Sequence, residues 1–424
     1  MAPARLGLEL EFMVATLPPE SKHSKSQSPG DSRWPDDPAD NSTAHPIYGT
    51  NLCRKAVCQA LARGGLAVAR IVDPKPLAGD PDASEETHHC CIDISHTSRL
   101  LVWNPERGGS DGRQVRFNYW LVDHEGSINS KLDDCHIKGP KGYKWYAIEI
   151  NSNILSDQAE FDETLPTVRR ALEQIRNSVK VWLNAECGFH MHVSPKHGEL
   201  DIVVARRTAA LVLLVEHGLL LNICHPCRRK SIHARPIRTH SIFAARARAA
   251  TTTECHLAPE MDLIHRYRGG CKARHGDDPL LFTILSCILL QVDLAALAKG
   301  LRAPNKENGT SPDGGRCAFA VSSFGTVEFR YPEASFDVDF LSLWTDVARQ
   351  MMNIATSSEA QYSTTLYELW QMATSDTRLT WIDWLKALGL SRRAGVCSKR
   401  LGRYGGDLRN LNKRQILPEM AAKV

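Results

Sequence analysis

Apolar and charged residues alternate in four short stretches of the chain: Leu8-Glu9-Leu10-Glu11-Phe12, Ile148-Glu149-Ile150-Asn151, Phe189-His190-Met191-His192-Val193 and Val327-Glu328-Phe329-Arg330-Tyr331. A period of two marks a strand with one buried and one wet face. Glu9 with Glu11, His190 with His192, and Glu328 with Arg330 are therefore each expected to share a face.

Helical spacing governs most of the rest. Cys53, Val57 and Leu61 predict a helix over 51–63, stopped by Gly64-Gly65. Leu165, Val168, Leu172, Ile175, Val179 and Leu183 predict one long helix over 157–184. Further helices are expected at 201–221, 279–301, 341–355, 366–373 and 381–388, followed by a polar tail. Strands are expected at 67–72, 100–103, 317–322 and 326–331, with 117–122 and 144–151 as a pair. Residues 18–46, rich in Ser, Pro, Asp and Lys, read as a disordered insertion, and 73–113 as irregular chain. Strands separated by helices of unequal length predict an α+β fold with helices packed on one face of a sheet.

Composition narrows the class. Of 424 residues, 42% are hydrophobic and 24% charged, as in an ordinary globular protein. A net charge of +4 is too mild to imply nucleic acid, so no nucleic-acid partner is expected. The charge is uneven, however. No Asp or Glu lies between Glu216 and Glu254, while Arg228, Arg229, Lys230, Arg235, Arg238, Arg246 and Arg248 do, so this basic segment suits an anion. The early apolar run is interrupted by Glu9 and Glu11, and no later run reaches the ~18 residues of a membrane span. The expectation is a cytoplasmic protein without a membrane partner. Thirteen scattered Cys fit reduced thiols better than a disulfide framework.

Each motif has a structural reading beside the chemical one. Two glutamates on a strand can be solvated, and Glu328 with Arg330 can be a cross-strand ion pair. Packing the four strands together changes the balance, because two like charges ~4 Å apart at an effective dielectric of about 20 repel by roughly 4 kcal/mol. A divalent cation relieves that repulsion. A donor set of carboxylates with one or two imidazoles suits Mg2+ or Mn2+ better than zinc. Cys224-His225-Pro226-Cys227 and His88-His89-Cys90-Cys91 each lack the second pair a zinc site needs. Neither a phosphate loop of the Gly-Lys-Ser/Thr kind nor a Rossmann fingerprint is present.

Gly-Leu-Glu-Leu-Glu-Phe, Ile-Glu-Ile-Asn-Ser, Gly-Phe-His-Met-His-Val-Ser and Thr-Val-Glu-Phe-Arg, in that order, resemble the amidoligase family found widely in fungi. That family is related in its catalytic sheet to glutamine synthetase and glutamate-cysteine ligase. The resemblance implies a glutamine synthetase-like, mostly antiparallel curved sheet in a catalytic domain over 1–356, followed by a helical extension over 357–424. It implies Glu9, Glu11, Glu149, His190 and Glu328 as metal ligands, with His192 facing nucleotide phosphates and Arg330 steadying the transferring phosphate. From the basic segment, Arg228 or Arg229 is the nucleotide-contacting candidate. The implied activity is an ATP- and Mg2+-dependent (or Mn2+-dependent) ligase that joins small-molecule or peptide carboxylates to amines through an acyl phosphate. A metal-dependent hydrolase and a non-catalytic nucleotide- or partner-binding member of the same fold are the alternatives. Two departures stand out. His124-Glu125-Gly126-Ser127 replaces the usual Asp-x-Ser-like strand end, and Asn151-Ser152-Asn153 stands where Ser-Pro is usual.

Overall fold

The structure is a computed structural model that describes residues 4–16, 33, 46–71, 91–95, 98–103, 112–128, 144–183, 186–226, 228–249, 278–304 and 315–407. Most of the expected insertion at 18–46 and of the irregular stretch at 73–113 lies outside them, but where 73–113 is described it forms the strands Cys91–Ser95 and Ser98–Trp103 instead of irregular chain. The chain divides into two compact units. Gly7–Phe189 with Ala334–Val338 forms one, called here the glutamate unit; Met1–Leu6, His190–Glu333 and Asp339–Asn410 form the other, the histidine unit. Both mix strands, mostly antiparallel, with helices, as an α+β fold should.

In the glutamate unit the strands are β1 (Arg5–Thr16), β2 (Val68–Ile71), β3 (Cys91–Ser95), β4 (Ser98–Trp103), β5 (Trp120–His124), β6 (Lys144–Asn151) and β7 (Val181–Trp182). They lie in the order β3-β4-β2-β5-β6-β1, with β7 also paired to β1. The expected pairing of β5 with β6 is present and antiparallel, though the strand starts at Trp120 because Phe117 belongs to the helix Gly112–Asn118. Only β2 runs parallel to its neighbours, β4 and β5. The helix Pro46–Arg63 packs on β2, β5 and β6. Its apolar stripe of Cys53, Val57 and Leu61 is fully buried, and the Cys53 thiol, pushed far above its usual pKa by burial, faces the Val14 carbonyl oxygen at 3.8 Å. Gly65, at φ 76°, reverses the chain after this helix in a backbone conformation that suits glycine.

The long helix expected over 157–184 is instead two helices, Gln158–Asp162 and Pro166–Ser178. Pro166 disfavours helical geometry in the residue before it. Thr164 and Leu165 accordingly take φ values of 63° and 56°, and the buried carboxylate of Glu160 accepts the Thr167 and Val168 N–H groups at the second helix's start. Periodicity alone carries no sign of that break.

In the histidine unit, β8 (Phe189–Ser194), β10 (Thr326–Phe329) and β9 (Phe319–Ser322) form antiparallel pairs in that order. A largely buried helix, Ile202–Val215, runs on through a π-helical turn, Glu216–Leu220, into Leu221–Ile223. The helices Pro279–Leu289 and Glu359–Ala373 pack against it. The helix expected over 279–301 is also divided, because Asp293 caps a second one, Leu294–Leu301, through the Ala296 N–H. The expected polar tail contains a further helix, Ala394–Asp407. Arg400 on that helix is buried, lies 3.5 Å from the buried carboxylate of Glu333, and stacks over the Phe340 ring at 4.2 Å. Among the described residues no helix is long and apolar enough to cross a membrane.

Removing one partner of a buried ion pair leaves the other charge uncompensated. Arg400→Ala should therefore lower unfolding free energy by about 3 kcal/mol, read as a lower midpoint in urea at unchanged slope.

Candidate active site

Strand register builds the first group of charges. On β1 the apolar residues Leu8, Leu10 and Phe12 are buried, which commits Glu9 and Glu11 to the opposite face. Glu11 stands directly across from Glu149 of β6, and Glu9 across from Asn151. Glu125 follows the end of β5 and is drawn toward β6 by its N–H, which donates to the Ala147 carbonyl at 3.3 Å. As a result, carboxylate oxygens of Glu11, Glu125 and Glu149 lie within 4.8 Å of one another.

The neighbours of this cluster fix it in place. Buried Glu11 accepts the Gly188 N–H at 2.6 Å and donates its own N–H back to the Gly188 carbonyl at 3.1 Å. Asn151 donates its side-chain amide to Glu149 at 2.8 Å, and the Ser152 hydroxyl accepts the Leu8 N–H at 3.0 Å. Those two residues, unusual at the sequence level, thus hold the ladder end. Glu125 accepts the Ser127 N–H at 2.6 Å. Glu149 keeps some accessible surface yet is hemmed in by protein. Burial, then the charge of Glu9 and, more weakly, those of Glu11 and Glu125, hold its carboxyl well above the usual carboxylate range, against the opposing Asn151 hydrogen bond.

The second group stands on the histidine unit's sheet. Glu328 pairs across the ladder with His192, so the two share a face, and His190 lies two residues along that same face. His190 is buried and His192 half-buried; the His192 Nδ1 shares a 2.9 Å hydrogen bond with the Thr326 hydroxyl, while the half-exposed Phe324 ring meets its imidazole edge-on. The carboxylate of Glu328 is almost wholly buried and is ion-paired with Arg330, with Arg316 at 3.6 Å. Arg316 itself is exposed.

The two candidate arginines of the basic segment differ. Arg228 has no accessible surface, and its guanidinium donates to the Arg330 carbonyl at 3.4 Å. Arg229 is exposed and reaches the Asn222 carbonyl at 3.3 Å. Within one unit, then, the fold gathers Glu9, Glu11 and Glu149; within the other it gathers His190, His192, Glu328 and Arg330. Glu125 and Arg316 join these groups without having been named as candidate ligands or phosphate contacts. A Glu-Gly-Ser turn ending the strand paired to that of Glu149 was the available signal for the first; none was available for the second.

Residues 2–268 match the family described as putative amidoligase enzyme. The chain belongs to this family. Membership gives it a ligase-type function. The match takes in Glu9, Glu11, Glu125, Glu149 and both histidines, whereas Glu328, Arg330 and Arg316 lie beyond its end. No curated protein matches the chain.

A carboxyl whose pKa is raised on folding contributes stability that is fully present below its unfolded value and is lost as pH rises through the folded one. Glu149→Gln removes that loss. In metal-free buffer the variant should therefore gain stability over the natural chain as pH rises above the ordinary carboxylate range, seen as diverging melting temperatures.

Proposed function

We propose that the chain is an ATP- and Mg2+-dependent (or Mn2+-dependent) carboxylate-amine ligase acting on small-molecule or peptide acids and amines. The convergence of Glu11, Glu125 and Glu149 carries this reading. Three carboxylates so close repel one another when charged, and together they offer only oxygen donors, the set that suits Mg2+ or Mn2+. These residues, with Glu9, would hold a cation in the glutamate unit. Glu328, with His190 on the neighbouring strand, would hold one in the histidine unit.

When bound, ATP with its cation supplies the phosphoryl group that converts a carboxylate into an acyl phosphate, from which an amine displaces phosphate to leave an amide. The side chains of this chain bind and orient. Glu328 holds the Arg330 guanidinium by one edge, so its planar fork is already aimed when charge builds on phosphoryl oxygens. Thr326 holds the ring of His192, which faces the same phosphates. Arg316, exposed beside them, adds a second guanidinium. With no surface of its own, Arg228 supports the backbone of Arg330 instead of meeting nucleotide, which leaves Arg229 as the exposed candidate.

The test is amine-dependent ADP release. Full-length protein mixed with Mg-ATP and a panel of acids and amines should release ADP only when amine is present, and mass spectrometry after adding cell extract should show a condensed product. ADP release indifferent to amine, or none across the panel, overturns the reading; Zn2+ retained through purification would favour the hydrolase. Arg330→Lys keeps the charge but loses the fork, and should slow turnover by about 100-fold. Independently of turnover, millimolar Mg2+ or Mn2+ should raise the melting temperature of the natural chain, and Glu11→Gln or Glu125→Gln should remove most of that rise.

A further inference from the structure

Glu216 is a carboxylate with no accessible surface and no part in the two groups of charges described above. It stands in the π-helical turn Glu216–Leu220, a helical irregularity that recurs at functional sites. Three donors meet it: the Ile237 N–H at 2.7 Å, the Arg238 N–H at 2.9 Å and the Tyr331 hydroxyl at 2.5 Å. Apolar side chains of similar volume often serve stability as well as a buried charge does. What the carboxylate adds is a fixed geometry.

Tyr331 is the residue that geometry reaches. It is fully buried and immediately follows Arg330. The dipeptide is held at four points: the Arg330 N–H donates to the Ala318 carbonyl at 2.7 Å, the Arg330 carbonyl accepts from Arg228, the Tyr331 carbonyl accepts the Cys224 thiol at 3.2 Å, and the Tyr331 hydroxyl donates to Glu216. Three of the four partners come from the π-turn and the chain just after it. Gly218 within the turn is in turn covered by the Trp384 indole, which would meet an added Cβ at 2.2 Å, so a helix near the C-terminus braces the device.

We propose that Glu216 is a positioning residue for Arg330, acting through Tyr331 to hold the strand end from which the guanidinium projects beside Glu328. This rests on the reading that Arg330 meets nucleotide phosphate.

The test uses full-length Glu216→Gln and the milder Tyr331→Phe, each also combined with Arg330→Ala, and reads Mg-ATP affinity together with hydrogen exchange. Each single variant should weaken Mg-ATP binding by roughly fivefold, and neither should weaken it further once Arg330 is Ala. Exchange should quicken at residues 329–331 in both. An undiminished effect in the Arg330→Ala background, or unchanged affinity in both single variants, overturns the proposal. If the natural chain does not bind Mg-ATP, the ligase reading falls first, and exchange unchanged at 329–331 then removes the tether as well. Should Glu216→Gln fail to fold, Tyr331→Phe decides by the same readouts.

Discussion

Strand register is the constraint on which the glutamate unit depends. Burying Leu8, Leu10 and Phe12 on one side of β1 and Ile148 and Ile150 on one side of β6 excludes any one-residue slip between the strands, which would turn an apolar row outward. In the register adopted, Glu11 stands against Glu149. Hydrophobic burial thus holds together charges that would otherwise part, and burial first, with their mutual repulsion second, raises the Glu149 pKa. Under the proposed function, a bound cation would relieve the same crowding.

The histidine unit solves a different problem, that of keeping a guanidinium in one orientation. Glu328 is nearly inaccessible, so its pairing with Arg330 is little screened by water. Behind the pair, Arg228 and the Tyr331–Glu216 contact secure the backbone from the buried side. Glu333 extends the same economy of design, accepting the His225 N–H at 2.9 Å while pairing with Arg400. Chain well past the end of the family match therefore helps hold the segment that begins at Cys224.

Period-two alternation made the faces of Glu9 and Glu11, of His190 and His192, and of Glu328 and Arg330 legible in the sequence, because a strand offers no other way to bury its neighbours. Glu125 and Arg316 escaped because they stand past strand ends, where no period applies and the path of the turn decides which way a side chain goes. Arg228 was legible as a charge but not as a buried one, since its depth depends on the Arg330 carbonyl, 102 residues away. The break at Thr164 and Leu165 was hidden for a related reason. The apolar spacing runs through it unchanged, and only Pro166, read for its effect on the preceding residue, marks it. Division into two units has no local signature at all.

The cysteines carry a last implication. Burial pushes the Cys53 thiol far up and holds those of Cys317 and Cys397 at about 12. Thiolate, not thiol, attacks oxidants and alkylating reagents. These three sulfurs are therefore chemically quiet at neutral pH and should be slow to react with an alkylating label in the folded chain.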